Sequence, residues 1–161
     1  LTNLSSISCS SMMYWRIPCA RQRTLSGIFY FSCMQALTTH GIRIGVESDF
    51  RPGQSFPHRS QYLHVYTIHI KNYNEYPVQL ISRHWDITEG DGSKKVVDGP
   101  GVVGEQPLIE PEGFHSYSSF CVLAFPLGRM SGYYTMIRLD TGEAFNVDIP
   151  AFNLIMPDLL N

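Results

Sequence analysis

From Gly41 onward the chain alternates apolar and polar residues with a period of two, in short runs. Ile42, Ile44 and Val46 alternate with Arg43, Gly45 and Glu47, as a strand with one wet face would. Tyr62 to Ile70 is dense in aromatic and β-branched residues and is followed by the turn-forming Asn72-Tyr73-Asn74-Glu75 before Pro77. A third run, Val78 to Thr88, ends at Glu89-Gly90-Asp91-Gly92. Further strands are expected over Phe114 to Phe125, Tyr133 to Leu139 and Ala144 to Ile149, with a hairpin turn at Asp140-Thr141-Gly142-Glu143. No window sustains an apolar period of about 3.6 residues, so helices are not expected. About seven short strands separated by turn signals predict an all-β fold, an antiparallel immunoglobulin-like or fibronectin-like sandwich.

The first forty residues read differently. They hold seven serines, Arg16, Arg21 and Arg23, and no Asp or Glu. That composition predicts a disordered leader of transit-peptide type, with an organellar destination, mitochondrion or plastid. The alternative is translation starting at Met12, Met13 or Met34, which leaves little or no leader and a cytoplasmic protein. Residues 41–161 then form the single domain, which suits a chain of 161 residues. They carry all 14 acids against the nine remaining Lys and Arg, a net charge of −5, which argues against nucleic-acid binding. No apolar run approaches the roughly 20 residues of a membrane helix, so no membrane partner is expected.

Cys121 is the only cysteine after residue 40, so no disulfide within the domain is expected. Its apolar neighbours, Phe120, Val122 and Leu123, favour a packed small side chain over a catalytic thiol. The six histidines form no close doublet, so no metal site is expected.

Several motifs in order resemble the ApaG domain family: Gln54-Ser55-Phe56-Pro57, Gln79-Leu80-Ile81-Ser82-Arg83-His84-Trp85, Gly99 to Pro107, Tyr117-Ser118-Ser119, Gly128-Arg129-Met130-Ser131-Gly132-Tyr133-Tyr134 and Ile149-Pro150-Ala151-Phe152-Asn153-Leu154. The resemblance spans roughly residues 41 to 161 and implies a fibronectin type III-like β-sandwich. It also implies a family found as stand-alone bacterial proteins linked to cobalt resistance and magnesium efflux. The same domain ends some F-box proteins and a polymerase-delta-interacting protein. The short stretch before residue 41 leads us to expect the stand-alone form.

Two chemistries compete for Gly99-Pro100-Gly101-Val102-Val103-Gly104. The glycine spacing fits a phosphate or pyrophosphate loop, a site the resemblance also implies. Arg83, Lys94 and Lys95 would then converge on Gly99, Gly101 and Gly104. A phosphate loop needs free N–H groups and a following helix N-terminus. Here Glu105-Gln106-Pro107 precedes an extended Leu108-Ile109, Pro100 lacks an N–H, and Asp98 and Glu105 add negative charge. The favoured reading is a glycine-shaped connection between strands. On the preceding strand, alternation groups Ile81, Arg83, Trp85 and Ile87 on one face, with Leu80, Ser82, His84 and Asp86 on the other. Trp85 is expected in the core and Arg83 near the rim with a carboxylate, in preference to an anion-recognition pair of Arg83 and His84.

No nucleophile, cofactor or catalytic set is expected from these residues. The functional expectation is a non-catalytic module that binds an unknown protein partner, or a second copy of itself, through an exposed sheet edge. The alternative is a nucleotide or pyrophosphate binder using the Gly99–Gly104 loop.

Overall fold

The computed structural model describes residues 20–23, 29–32 and 34–160. Eleven strands carry almost all of its regular structure: β1 (Ala20–Arg23), β2 (Phe29–Ser32), β3 (Gln35–Thr39), β4 (Ile42–Phe50), β5 (Tyr62–Asn72), β6 (Val78–Glu89), β7 (Lys94–Pro100), β8 (Leu108–Ile109), β9 (Phe114–Leu123), β10 (Leu127–Arg138) and β11 (Ala144–Ile155). Strands β1 and β2 form a small hairpin of their own. The others make two antiparallel sheets, β3-β4-β5-β9 and β11-β10-β6-β7, with β8 pairing the start of β6 beyond β7. The expected antiparallel sandwich is therefore the observed fold. Among the described residues, no helix is long and apolar enough to cross a membrane.

The core lies where alternating side chains of the two sheets meet. Ile42, Ile44, Ile68, Ile70, Leu80, Tyr134, Met136, Val147 and Leu154 are fully buried there. Trp85 sits edge-on to Tyr66, Tyr134 and Phe152, the central aromatic position expected of it.

Two irregularities change which residues face the core. Thr135 pairs with Ser82 and Met136 with Leu80, so Ile81 is an extra residue in β6. Such a bulge shifts the alternation by one, and Leu80 and Trp85 are both buried despite the odd spacing between them. The expectation that Leu80 lies opposite Trp85's face is corrected by this bulge. In the last hairpin, Met130 pairs with Phe152 and Gly132 with Ile149, which leaves Pro150 and Ala151 opposite Ser131. Pro150 has no N–H to donate to a ladder, and a bulge is where a strand accommodates it.

Glycines conceal part of β10 from a sequence reading. The run from Gly128 to Gly132 is strand, continuous with Tyr133 onward. Gly132 is needed there because a Cβ would lie 2.0 Å from the His84 carbonyl oxygen. Strand β7 also goes beyond the expected runs. The boundary expected at residue 41 falls inside a turn, because β3 pairs with β4 from Gln35↔Val46 to Thr39↔Ile42. Strands β1 and β2 also fall within the expected leader, and its remaining residues, 1–19, 24–28 and 33, which the transit-peptide reading also spans, lie outside the described residues.

Candidate functional site

The Gly99–Gly104 segment continues β7 into a tight turn. Arg83 is directly opposite Gly99 in the β6–β7 ladder. Its Nη1 donates to the carbonyl oxygens of Pro100 at 3.1 Å and Gly101 at 2.7 Å. The Gly101 N–H donates to the carbonyl of the bulged Ile81 at 2.8 Å. Val102 and Glu105 exchange N–H···O bonds of 2.7 and 3.0 Å around Val103 and Gly104, whose φ values are 49° and 81°. Positive φ at both central residues of a two-residue connection is the type I′ hairpin turn.

This loop thus turns carbonyls toward a guanidinium, and the N–H groups of Gly101, Val102 and Glu105 are already bonded. The structure places Arg83 against Gly99 and Gly101, with Gly104 at the tip of the turn beyond them. It does not bring Lys94 and Lys95 to them. Lys94 pairs with Thr88 and Lys95 with Ile87 at the start of β7, about 20 Å of extended chain from Gly101. Lys95 is engaged by Glu89, a carboxylate only 2% exposed, whose other oxygen accepts the Ala124 N–H at 2.8 Å. The convergence that phosphate binding requires is absent from this arrangement.

Arg83 meets carbonyls rather than the carboxylate expected at the rim, and among the described residues no carboxylate lies within ion-pair distance of it. Its side chain lies on the core side of β6, in register with Trp85 and Ile87. There its charge acts on the hydroxyls of Tyr66, Tyr117 and Tyr134 and favours their ionised forms; burial outweighs it and raises all three phenols above their usual range. The Tyr117 and Tyr134 hydroxyls bond across the sheets at 2.5 Å. Sequence reading missed this tyrosine cluster, because the three residues meet only after β5, β9 and β10 are assembled. A period-two alignment of Tyr66 and Tyr117 with their core neighbours is the one signal that could have marked them.

His84 faces the opposite side of the sheet from Arg83. Its Nδ1 is 2.6 Å from Asp98 and its Nε2 is 3.6 Å from Asp86, while the ring stacks on Tyr133 at 4.7 Å. The hydrogen bond to Asp98 raises its pKa above the usual histidine value. This placement separates it from Arg83 as an anion-recognition partner.

Cys121 packs against the core, and burial pushes its thiol up to about 11, far from a reactive thiolate at neutral pH. His64, directly across the ladder from Cys121, is fully buried, and its Nε2 has no partner. Burial lowers its pKa to about 4, so it is a neutral core residue. Among the described residues, no group of three His, Cys, Asp or Glu is placed to hold a metal ion.

The outer strands are the remaining feature. Strand β9 ends its sheet, and its ten residues contain no charged side chain and no proline. Phe120 and Val122 project outward from it, Phe120 65% exposed. Strand β7, which ends the other sheet, carries Lys94, Lys95, Asp98 and Pro100.

This geometry matches known proteins closely. The ApaG domain model, DUF525, matches residues 52–138, which include the Arg83 strand, the glycine turn and β9. The chain belongs to the ApaG family. Protein ApaG of Pseudomonas aeruginosa is 46% identical over 124 residues, 77% of this chain and 98% of that protein. Protein ApaG of Anaeromyxobacter dehalogenans is 45% identical over 128 residues, 80% of this chain and all of its own length. The crystal structure of a Bordetella pertussis protein designated ApaA is 41% identical, with a TM-score of 0.69 over 72% of this chain and 94% of that one. The residues matched to the ApaG domain thus include β7 and β9, the outer strands that flank this site.

Proposed function

We propose that this ApaG-family chain is a non-catalytic interaction module that receives an extended segment of a protein partner along the free edge of β9. The observation that supports it is the contrast among the four outer strands, of which β3 is only five residues long and β11 carries Asp148 and Pro150. A sheet edge presents a row of N–H and C=O groups to any extended chain, and proteins blunt such edges with charge, proline or brevity. Strand β7 has Lys94, Lys95 and Pro100, whereas β9 runs for ten residues with none of these devices. Strand addition draws affinity from main-chain bonds and selectivity from alternate side chains. His84, held between two carboxylates, and the half-buried Cys121, its thiol pushed up to about 11, fit a binding role.

The test is site-specific photocrosslinking from Ser116 and Ser118 on the full chain in its native extract, repeated with Ser118→Pro. A partner crosslinked along β9 and lost from the proline variant, with circular dichroism unchanged, is the expected result. A pattern of adducts identical in the two proteins would count against the edge, and a band at twice the chain mass would identify a second copy as the occupant.

A further inference from the structure

The two sheets are not closed along the side where β7 and β9 end them. Lys95, Val97 and Gly99 stand opposite Ile87, Trp85 and Arg83, so they belong to the inner face of β7. Val97 is nevertheless 41% exposed. On β9 the inward-facing Tyr117, Ser119 and Cys121 are only half-buried, whereas Ile68 and Ile70 on neighbouring β5 are fully covered. The sandwich therefore has an open mouth between these strands, with Arg83 on its inner wall.

Arg83 carries the charge of that mouth. Nη1 is held by two carbonyls, which cancel none of its formal charge. The hydroxyls of Tyr66 and Tyr117 are within its electrostatic reach from the opposite sheet. Gly99 leaves the guanidinium room: a Cβ there would lie 3.0 Å from Nη2. A half-buried guanidinium with no anionic partner among the described residues suits a carboxylate, whose two oxygens match its fork.

We propose that the mouth between β7 and β9 takes an acidic extended peptide, one of whose carboxylates pairs with Arg83 while an apolar side chain two positions away packs on Val97. This rests on the strand-addition reading above. A strand added to β9 directs every second side chain inward, toward the inner face of β7. Val97 and Gly99, the latter with Arg83 across from it, are themselves two residues apart, which fixes the spacing of the recognised pair.

The test uses randomised dodecapeptides displayed on phage and panned against the full chain. The most enriched sequence is then synthesised in four forms: with its acid, with the matching amide, and each with a free or an amidated C-terminus. The expected result is an enriched acid two positions from an apolar residue. Calorimetry should then show about tenfold weaker binding for the amide form, and a difference below about twofold in Arg83→Gln. The comparison of acid with amide on the unaltered chain needs no variant, so a poorly folding Arg83→Gln does not blunt it. If the preference follows the free C-terminus instead, the terminal carboxylate is the group that Arg83 takes. Peptides that bind β9 equally well with acid or amide would overturn the carboxylate site and leave the edge reading standing. Failure to enrich any peptide would overturn both.

Discussion

The guanidinium of Arg83 lies against Gly99, with Nη2 3.0 Å from where a methyl group on that glycine would stand. The three glycines of this segment are consequently unequal, and substitution should grade them. A Cβ on Gly101 would lie 2.0 Å from the Glu105 carbonyl oxygen at a φ of 56°, a backbone clash that cannot be relieved by a side chain. Gly101→Ala should lose more than about 3 kcal/mol in chemical denaturation. Gly104 has open space but a φ of 81°, and Gly104→Ala should lose about 1 kcal/mol. At Gly99 the obstacle is the flexible end of Arg83, and Gly99→Ala should lose less than about 1 kcal/mol. A pyrophosphate titration of the unaltered chain should give no heat at millimolar ligand; saturable binding that the milder Gly104→Ala weakens would restore the phosphate-loop reading.

Val103 occupies the first central position of the type I′ turn at a φ of 49°. A β-branched residue is poorly suited to that region. Val103→Asn creates the Asn-Gly pair that this turn favours, and should raise stability by about 1 kcal/mol. The side chain is exposed, so no packing is lost. Thermal denaturation that leaves the midpoint unchanged or lowers it would refute this.

Asn72 is a buried fastener at the end of β5. Its Nδ2 donates to the carbonyls of Tyr76, Ile109 and Glu110, and its Oδ1 accepts the Asn74 N–H. Asn72→Ala strands these groups in a dry site and should lose about 2 to 4 kcal/mol. Asn72→Asp should be at least as harmful at neutral pH, because a carboxylate cannot donate to three carbonyls. A loss below 1 kcal/mol for both, read from urea unfolding, would show that water replaces the side chain.

Two histidines should pull stability in opposite directions with pH. His64 is lowered from 6.5 to about 4, so the unfolded chain takes up a proton before the folded one does. Stability is then constant above pH 6.5 on this account and falls by about 3 kcal/mol as pH drops toward 4. His84 is raised by Asp98, so its contribution is present below pH 6.5 and is lost as pH rises through the folded value. Its carboxylate partners are exposed, and the loss should stay below about 1 kcal/mol. Denaturation midpoints from pH 4 to 8 should show a steep acid limb that His64→Leu flattens and His84→Gln leaves in place.

Much of this architecture was legible in the chain, because alternation over Ile42–Val46 and Tyr62–Ile70, and over the part of β6 beyond Ile81, reports the core face directly. What escaped it has local causes. Gly128 and Gly132 disfavour a strand by intrinsic preference, yet close backbone approach at His84 demands Gly132. The bulge at Ile81 reverses the alternation within one strand, which no fixed period can express. The glycine turn was identified as a connection, but Arg83's carbonyl partners and the tyrosine cluster depend on contacts between distant segments. The contrast between β7 and β9 was present in their residues all along; it acquires meaning only once both are known to be outermost.

Strand β3 has a practical consequence for anyone preparing this domain. It shields the far side of β4, and β11 packs against both. A chain begun at residue 41 would strip that cover and leave β4 bare while β9 is also bare. Such a fragment would exchange a five-residue margin for a nine-residue one on the sheet that β9 also ends, a longer template for pairing between copies. Recombinant preparations should therefore begin upstream of Gln35, and a shortened form that precipitates would be reporting on its trimmed margin rather than on the native protein.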